Sequence, residues 1–422
     1  MLADLMPPNQ ESLNCGAVHE EELSDFLALM TETFSMEPVA TSQIFYRDPY
    51  FDLQNKRVLR IEGKIVSCLT LVERAAKREG MTFPVFGICG MSTHTKVRRN
   101  GYARRLLTDT LSLLRERNIP FVLLNPVSSD YYRRLGWEYV TSTQRLTTPP
   151  STFPESPEVA GVRSLSRRDG YALSLIYDRL SRNETFLLTR DTKRWKFLLE
   201  FLRFGVIYAP KNGVPEGYLL YDLFEETIAG EQKSVLRVQE MLFETSRARR
   251  ASLTFLSRQP VDLIQVEGTF ERHIQNELFT LSANLTDAAT LSETETLPTV
   301  MARIADFGKA LAVSDLASLP LSKLEEKSVR CVMLDPLHPE GKQEVVISGE
   351  GIGKKDQLTG EISSACVLTA DVSVWTRLLL GAISGEDCLA QGILLSSDEV
   401  TSAVAEELFP LKHPYISPID YF

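Results

Sequence analysis

The sequence predicts an α/β (α+β) protein built as three consecutive units, two with mixed central sheets and a third of α+β type. Three observations carry that expectation. At 422 residues the chain is longer than one hydrophobic core organises. Two stretches without apolar periodicity interrupt it: 147–158, TTPPSTFPESPE, is studded with proline, and 282–299 is rich in Ser, Thr and acidic residues. Strand-like and helix-like runs alternate on both sides of these breaks, which implies crossover units. The expected units are therefore 1–148, 159–285 and 297–422.

From Glu20 onward the spacing Leu23, Phe26, Leu27, Met30, Phe34 predicts an amphipathic helix with an acidic first turn. β-rich runs over 57–61 and 65–72, separated by Glu62, Gly63 and Lys64, predict an antiparallel hairpin. A strand at 85–91, a helix over 103–117 and a second apolar strand at 121–124 follow in crossover order. A short helical turn at 129–135 closes on Gly136 and Trp137. Past the first boundary, helices are expected at 170–181 and 191–204 and strands at 205–208, 217–222 and 235–242, with no second Gly-rich turn. The last unit carries expected strands at 329–334, 344–348 and 365–369 and helices at 372–380 and 397–408.

Bulk composition narrows the function classes. Hydrophobic residues make up 43% and charged residues 24%, ordinary globular values that argue against disorder. Lys and Arg number 46 against 56 Asp and Glu, a formal net charge of −10. That balance disfavours nucleic acid as a partner and favours cationic ligands, although simple solubility asks for the same surface. The opening MLADLMPPNQESLN has no basic stretch followed by an apolar one, so no signal peptide is expected. No apolar run approaches the roughly 18 residues that span a bilayer, so no membrane is expected as a partner. Cys15, Cys68, Cys89, Cys331, Cys366 and Cys388 are scattered without CxxC spacing. They read as reduced packing residues of a cytoplasmic protein, with no metal site.

The chemistry concentrates in 85–139. Arg98, Gly101 and Ala103 form an RxxGxA turn between a strand and a helix. Such a turn lets backbone N–H groups approach an anion closely, and the helix aims its positive end at it. Arg98 and Arg99 read either as phosphate ligands or as solvated helix-start residues. In YYRRLGW, Tyr132 reads as a packing aromatic with Tyr131 exposed. The chain ends HPYISPIDYF, and a buried Phe contributes roughly 1.5–3 kcal/mol, so the C-terminus is expected to be anchored in the body of the protein. His94 reads as scaffold and Trp195 and Trp375 as core; Asp25 and Glu37 are candidate ammonium partners.

RRNGYARRLL followed by NPVSSDYYRRLGWE resembles the GNAT superfamily of acyl-CoA-dependent N-acyltransferases. In that superfamily the strand before the turn splays from its neighbour and pairs with pantetheine, while the turn holds pyrophosphate. The proline-rich break, a second unit without a cofactor turn, the stretch LTADVSVWTRLLLGAISGEDCLAQG and the terminal Phe resemble the Eis (enhanced intracellular survival) family. Its members join two GNAT folds to a sterol carrier protein-like domain and are commonly hexameric. The resemblance implies acetyl-CoA as cofactor and direct, sequential acetyl transfer to primary amines of cationic small molecules, of aminoglycoside or polyamine type. It implies Tyr132 as general acid and the terminal carboxylate of Phe422 as general base. The cofactor cradle it implies comprises backbone groups of Met91 and Thr93, then Arg98, Arg99, Gly101, Tyr102 and Ala103, and the assembly it implies is a homo-oligomer. This chain departs from the family pattern at Thr95, Asn100, Trp137 and Tyr421. Two rival readings are a CoA- or lipid-binding scaffold and a longer-chain N-acyltransferase similar to the N-myristoyltransferases.

Overall fold

The computed structural model describes residues 13–37, 46–78, 80–182, 184–201, 204–211, 213–267, 293–314, 328–348, 351–353, 366–397 and 399–421. Its first sheet grows from a hairpin. Strand β2 (Lys56–Ile61) is buried along its whole length and turns through Glu62 and Gly63, at φ 49° and 78°, into β3 (Lys64–Arg78). Two consecutive residues at positive φ give the turn whose twist matches that of the flanking strands. β1 (Leu13–Ala17) pairs antiparallel with β2, and β3 pairs antiparallel with β4 (Met81–Thr93). Helix α1 (Leu23–Phe34) packs on β3 and β4 through Phe26 and Leu29, while Phe34, at the end of the expected apolar stripe, stays exposed. Helix α2 (Tyr102–Glu116) buries Leu106, Leu107, Thr110, Leu111 and Leu114, one stripe at helical spacing, and leads into β5 (Phe121–Leu124), parallel to β4. A short helix, α3 (Ser129–Arg133), and β6 (Glu138–Tyr139) follow.

The middle unit repeats that order. Helices α4 (Gly170–Leu180) and α5 (Thr192–Phe201) precede a long hairpin of β11 (Gly217–Ile228) and β12 (Glu231–Phe243), closed through Ala229 and Gly230 at φ 52° and 86°. Helix α6 (Ser246–Ser257) then crosses to β13 (Leu263–Val266), parallel to β12. β10 (Phe204–Tyr208) and β8 (Val162–Ser164) extend the β11 edge.

Strand membership crosses the boundaries read along the chain. β7 (Ser142–Thr148) joins the second sheet between β13 and β14 (Glu293–Pro298). β15 (Met301–Ile304) inserts between β5 and β6 and completes the first sheet. β9 (Thr185–Leu188) extends β3 beyond the stretch that β2 covers. Among the described residues the first sheet runs β1-β2-β3-β4-β5-β15-β6 with β9 beside β3, and the second runs β14-β7-β13-β12-β11-β10-β8. An apolar run announces a strand but not which open edge it will close, so this exchange is invisible to local pattern.

The third sheet has β16 (Val329–Leu334) at its centre, flanked by β17 (Lys342–Ser348) with β18 (Gly351–Gly353) and by β19 (Cys366–Asp371) with β20 (Leu395–Ser396). Helices α7 (Phe307–Ala312), α8 (Val372–Leu380), α9 (Gly385–Ala390) and α10 (Glu399–Leu408) accompany it. Alternation along the central strands sorts two cores. Val122 and Leu124 face α2, whereas Phe121 and Leu123 face a continuous cluster that includes Met333, Trp375 and Phe409 of the third unit. Trp375 donates from Nε1 to the Val332 carbonyl (2.9 Å) inside that core, and Trp195 is buried in the middle unit. The cavity beside Leu378, Leu379, Leu408 and Phe409 measures about 10 Å³, room for a water and no lipid chain. No described helix is long and apolar enough to cross a membrane.

Candidate active site

β4 pairs with β5 only from Val85 to Ile88. Beyond Ile88 it keeps β3 alone as its partner, and an extra residue at Gly90 and Met91 is accommodated opposite Leu69. This β-bulge bends the strand. Gly90 sits at φ 63°, and a Cβ there would come within 2.5 Å of Met30 Cε on α1. The two parallel strands therefore diverge, leaving the β5-facing edge of 89–93 without a described strand partner. A glycine inside a strand pattern is the sequence signal for such a bulge, and Gly90 supplies it.

Past β4 the chain makes a tight turn in which His94 Nδ1 accepts from the Lys96 N–H (3.3 Å) and Val97 is buried. His94 thus acts as scaffold here. Arg98 donates from Nε to the Thr93 carbonyl (3.0 Å), tying the turn to the strand end. Arg99 at φ 68° and Gly101 at φ 81° then swing the backbone into α2. No described side chain caps α2, and a Cβ on Gly101 would meet no described atom within 4 Å. The unpaired donors of the first helical turn are thus open to a ligand, rimmed by the exposed Arg98, Arg99 and Asn100. Tyr102 packs beneath, on the cluster that also holds Met91 and Ile88. An anionic diphosphate fits this donor set.

The middle unit closes the same place with its own atoms. Thr245 accepts from the Ala248 N–H (3.2 Å) at the start of α6 and donates to Glu216 Oε2 (2.7 Å). Arg247 Nε donates to the same oxygen (2.7 Å), and that guanidinium holds the Glu216 carboxyl below its ordinary range. Where the first unit is open to an anion, the second has one built in.

Tyr132 lies on α3, immediately beyond the end of β5. Its ring stacks edge-on to Trp137 (6.0 Å) and Tyr131 (5.2 Å), and Met91, Tyr131 and Tyr132 share one cluster with Ile88 and Leu124. Tyr132 therefore stands at the divergence of β4 and β5. Burial, then the neighbouring Tyr131, pushes its phenol up to about 12. Tyr131 is partly buried as well, and its hydroxyl has no described partner. The turn after Tyr132 is fixed from outside: Arg303 on β15 donates from Nε to the Leu135 carbonyl (2.9 Å), forms an ion pair with Asp335, and lies over the Trp137 ring (5.2 Å). Arg303 and Asp335 are wholly buried, and the sequence offers no sign of their pairing.

Phe422 lies outside the described residues. The chain up to Tyr421 is anchored: Ile416, Ser417 and Asp420 are buried, and Tyr421 packs on the core shared by the first and third units. Burial pushes the Tyr421 phenol up to about 12 against an opposing pull from the Thr299 side chain. The Thr299 carbonyl accepts from Asn125 Nδ2 (3.2 Å), one residue past β5. The last described residue thus lies toward the carboxyl end of β5. Asp25 and Glu37 are both exposed at opposite ends of α1, whose outer groove is lined by Glu20, Glu21, Leu27, Glu32 and Tyr46. The Cys89 thiol is pushed up to about 11 by burial, which keeps it protonated and unreactive.

Residues 16–140 match the acetyltransferase (GNAT) domain, and residues 186–304 match a second domain family of the same description. The chain carries two GNAT acetyltransferase domains. Both matched segments hold a hairpin, a helix and a parallel strand in the order described above, and this acetyltransferase is accordingly a transferase with tandem GNAT folds and a third, α+β unit. GNAT folds use acetyl-CoA in general. A GCN5-related N-acetyltransferase from Anabaena variabilis ATCC 29413 is 18% identical, with a TM-score of 0.74, covering 97% of this chain and 100% of that one. A probable N-acyltransferase from Enterococcus faecalis V583 shows 20% identity and a TM-score of 0.74 over the same shares. Eis1 from Mycobacterium abscessus is 16% identical at a TM-score of 0.69, again over 97% and 100%. These likenesses are of fold. No curated protein matches the chain.

Proposed function

We propose that this GNAT acetyltransferase is an Eis-like enzyme that transfers the acetyl group of acetyl-CoA directly to primary amines of cationic small molecules, aminoglycoside- or polyamine-like. The observation that carries the reading is the divergence of β4 from β5 after Ile88, with the uncapped α2 start at one end and Tyr132 at the other. Acetyl-CoA would lie along the free edge of β4, with Met91 and Thr93 beside it, and supply the thioester. Its diphosphate would meet the N–H groups around Gly101, Tyr102 and Ala103 and the charges of Arg98 and Arg99.

Tyr132 is the general acid of this reading. A phenol raised to about 12 stays protonated at neutral pH, so it is available to donate to the departing thiolate. The terminal carboxylate of Phe422 is the base that takes a proton from the acceptor ammonium, freeing the amine lone pair to attack the thioester carbonyl. A free α-carboxyl titrates at roughly 3.3–3.7, and removal from water would raise it toward useful basicity. Glu20, Glu21 and Glu32 on the α1 groove supply the negative field for a cationic acceptor, and Glu32 accepts from Thr95 Oγ1 (3.3 Å) next to the cradle. A homo-oligomer, hexameric in the Eis family, and a cytoplasmic location belong to the same reading; light scattering checks the former.

Thiol release from acetyl-CoA with a polyamine and an aminoglycoside as acceptors tests the chemistry. The wild type should release CoA only with an amine present, and both Tyr132→Phe and a chain extended by Gly-Ser beyond Phe422 should be impaired at least 100-fold in kcat. An extended chain with full activity would remove the terminal carboxylate from the mechanism.

A further inference from the structure

The middle unit has the fold of an acetyltransferase domain and a closed anion site, and its sheet carries a different cluster where the first unit is open. β12 leaves β13 after Val238, and an extra residue at Gln239 follows at once, opposite the Leu220 and Tyr221 junction. By topology the next residues, 240–243, correspond to the cofactor-facing end of β4. There Glu240, almost fully buried, accepts Tyr218 Oη (2.7 Å), Ser417 Oγ and both terminal nitrogens of Arg190 (2.8 and 2.7 Å). Arg190 is itself wholly buried and donates from Nε and Nη2 to Asp420 Oδ2 (2.9 and 2.6 Å). Arg194 reaches the Ile419 carbonyl (3.0 Å) and Asp420 Oδ1 (3.3 Å).

We propose that the middle unit is the holder of the catalytic chain end: Arg190, backed by Glu240 and Arg194, grips Asp420 and so positions the carboxylate of Phe422. The inference rests on the reading that this carboxylate is the base. Two cations face two carboxylates in this cluster, and Arg190 also lies over the rings of Tyr177 (4.1 Å) and Trp195 (4.9 Å), so its guanidinium has one seat. A buried set of this kind specifies one geometry more than it adds stability. Its other side is fixed to β3, the strand beside the cofactor strand. Thr189, next to Arg190, donates from N–H and Oγ1 to the Ala75 carbonyl (2.8 and 3.2 Å) on β3, the neighbour of β4. Position is thus handed from β4 to β3, to Arg190, to Asp420. Two residues follow Asp420, so pinning it keeps the Phe422 Cα within about 7 Å of its own. A misplacement near 1 Å is enough to cost roughly 100-fold in rate.

Arg190, Glu240 and Asp420 are positioning residues, and the test separates that role from mere stability. Four proteins are compared by acetyl-CoA thiol release with a polyamine: wild type, Asp420→Asn, the Gly-Ser extension beyond Phe422, and both changes together. Asp420→Asn should lower kcat about 100-fold with the KM for acetyl-CoA within twofold, and the doubly changed protein should be no slower than the extended one, because both act through the same carboxylate. If Asp420→Asn unfolds the chain by circular dichroism, the charge-balanced pair Asp420→Asn with Arg194→Gln replaces it under the same expectation. Retained kcat in a folded Asp420 variant, or losses that multiply in the doubly changed protein, would overturn the holder role while leaving the base in place. Full activity of the extension alone would remove the base, and the holder with it.

Discussion

Replacing Gly101 by Ala asks whether the turn before α2 is a cradle or only a bend. Gly101 sits at φ 81° with nothing within 4 Å of where a Cβ would stand, so the substitution meets no atom and its stability cost is backbone strain alone. For an L-residue in the left-handed region that is about 1–2 kcal/mol. Gly230, in the β11–β12 turn, has the same geometry, φ 86° and empty space, but belongs to the middle unit. The two variants should therefore lose similar stability in urea unfolding. They should differ in kinetics. A methyl on Gly101 stands where a phosphate oxygen must approach the backbone, and losing one hydrogen bond to a charged group is worth about 1.5–3 kcal/mol. The KM for acetyl-CoA should rise roughly ten- to a hundredfold in Gly101→Ala, with kcat at saturation nearly unchanged, while Gly230→Ala keeps the wild-type KM. Equal KM values in the two variants would refute the cradle.

Other consequences can be measured alongside. Tyr132→Phe should lower kcat by about 100- to 10,000-fold with little loss of stability, since its ring packing on Trp137 survives. Because burial lifts that phenol to about 12, the proton donor stays in place as pH rises, and wild-type kcat should show no basic limb below about pH 10; a limb near pH 9 that disappears in Tyr132→Phe would keep Tyr132 as the acid and refute the lifted phenol. Arg303→Met strands a buried Asp335 and should cost about 3–5 kcal/mol, much of it recovered when Asp335→Leu is added; a single variant within 1 kcal/mol of wild type argues that the pair holds nothing. With its thiol near 11, Cys89 should resist iodoacetamide at pH 8, and Cys89→Ser should transfer acetyl normally with no acyl-enzyme by mass spectrometry.

Much of the fold was legible because it is local. The expected strand at 329–334 and helix at 372–380 coincide with β16 and α8, and the Glu62–Gly63 hairpin follows from the turn chemistry its flanking strands favour. β4 proved longer than its apolar stretch, because pairing with β3 along Met81–Thr93 carries polar residues such as Thr82 into the ladder. The RxxGxA turn was readable from residue order, since strand, glycine and helix suffice to expose backbone donors. Charged residues were the opaque class. Arg190, Arg303 and Asp420 look like surface residues in a one-dimensional reading, and each finds its partner across 32 to 230 positions. Their burial is decided by which distant carboxylate arrives, a fact no window of sequence contains.

The insertion of β15 between β5 and β6 also sets a timetable. During synthesis, residues 1–140 emerge with the β5 edge unpaired, and its partner at Met301–Ile304 follows only after some 160 further residues, on the order of ten seconds at ribosomal speed. Through that interval Phe121 to Leu124, all buried in the finished protein, present a bare apolar edge to the cell. A ribosome that stalls between the two segments leaves a half-built sheet that can be completed by another chain's β15, so nascent acetyltransferases crowded on one messenger should exchange this strand, and a 1–148 fragment should aggregate unless a 293–314 peptide is supplied in trans.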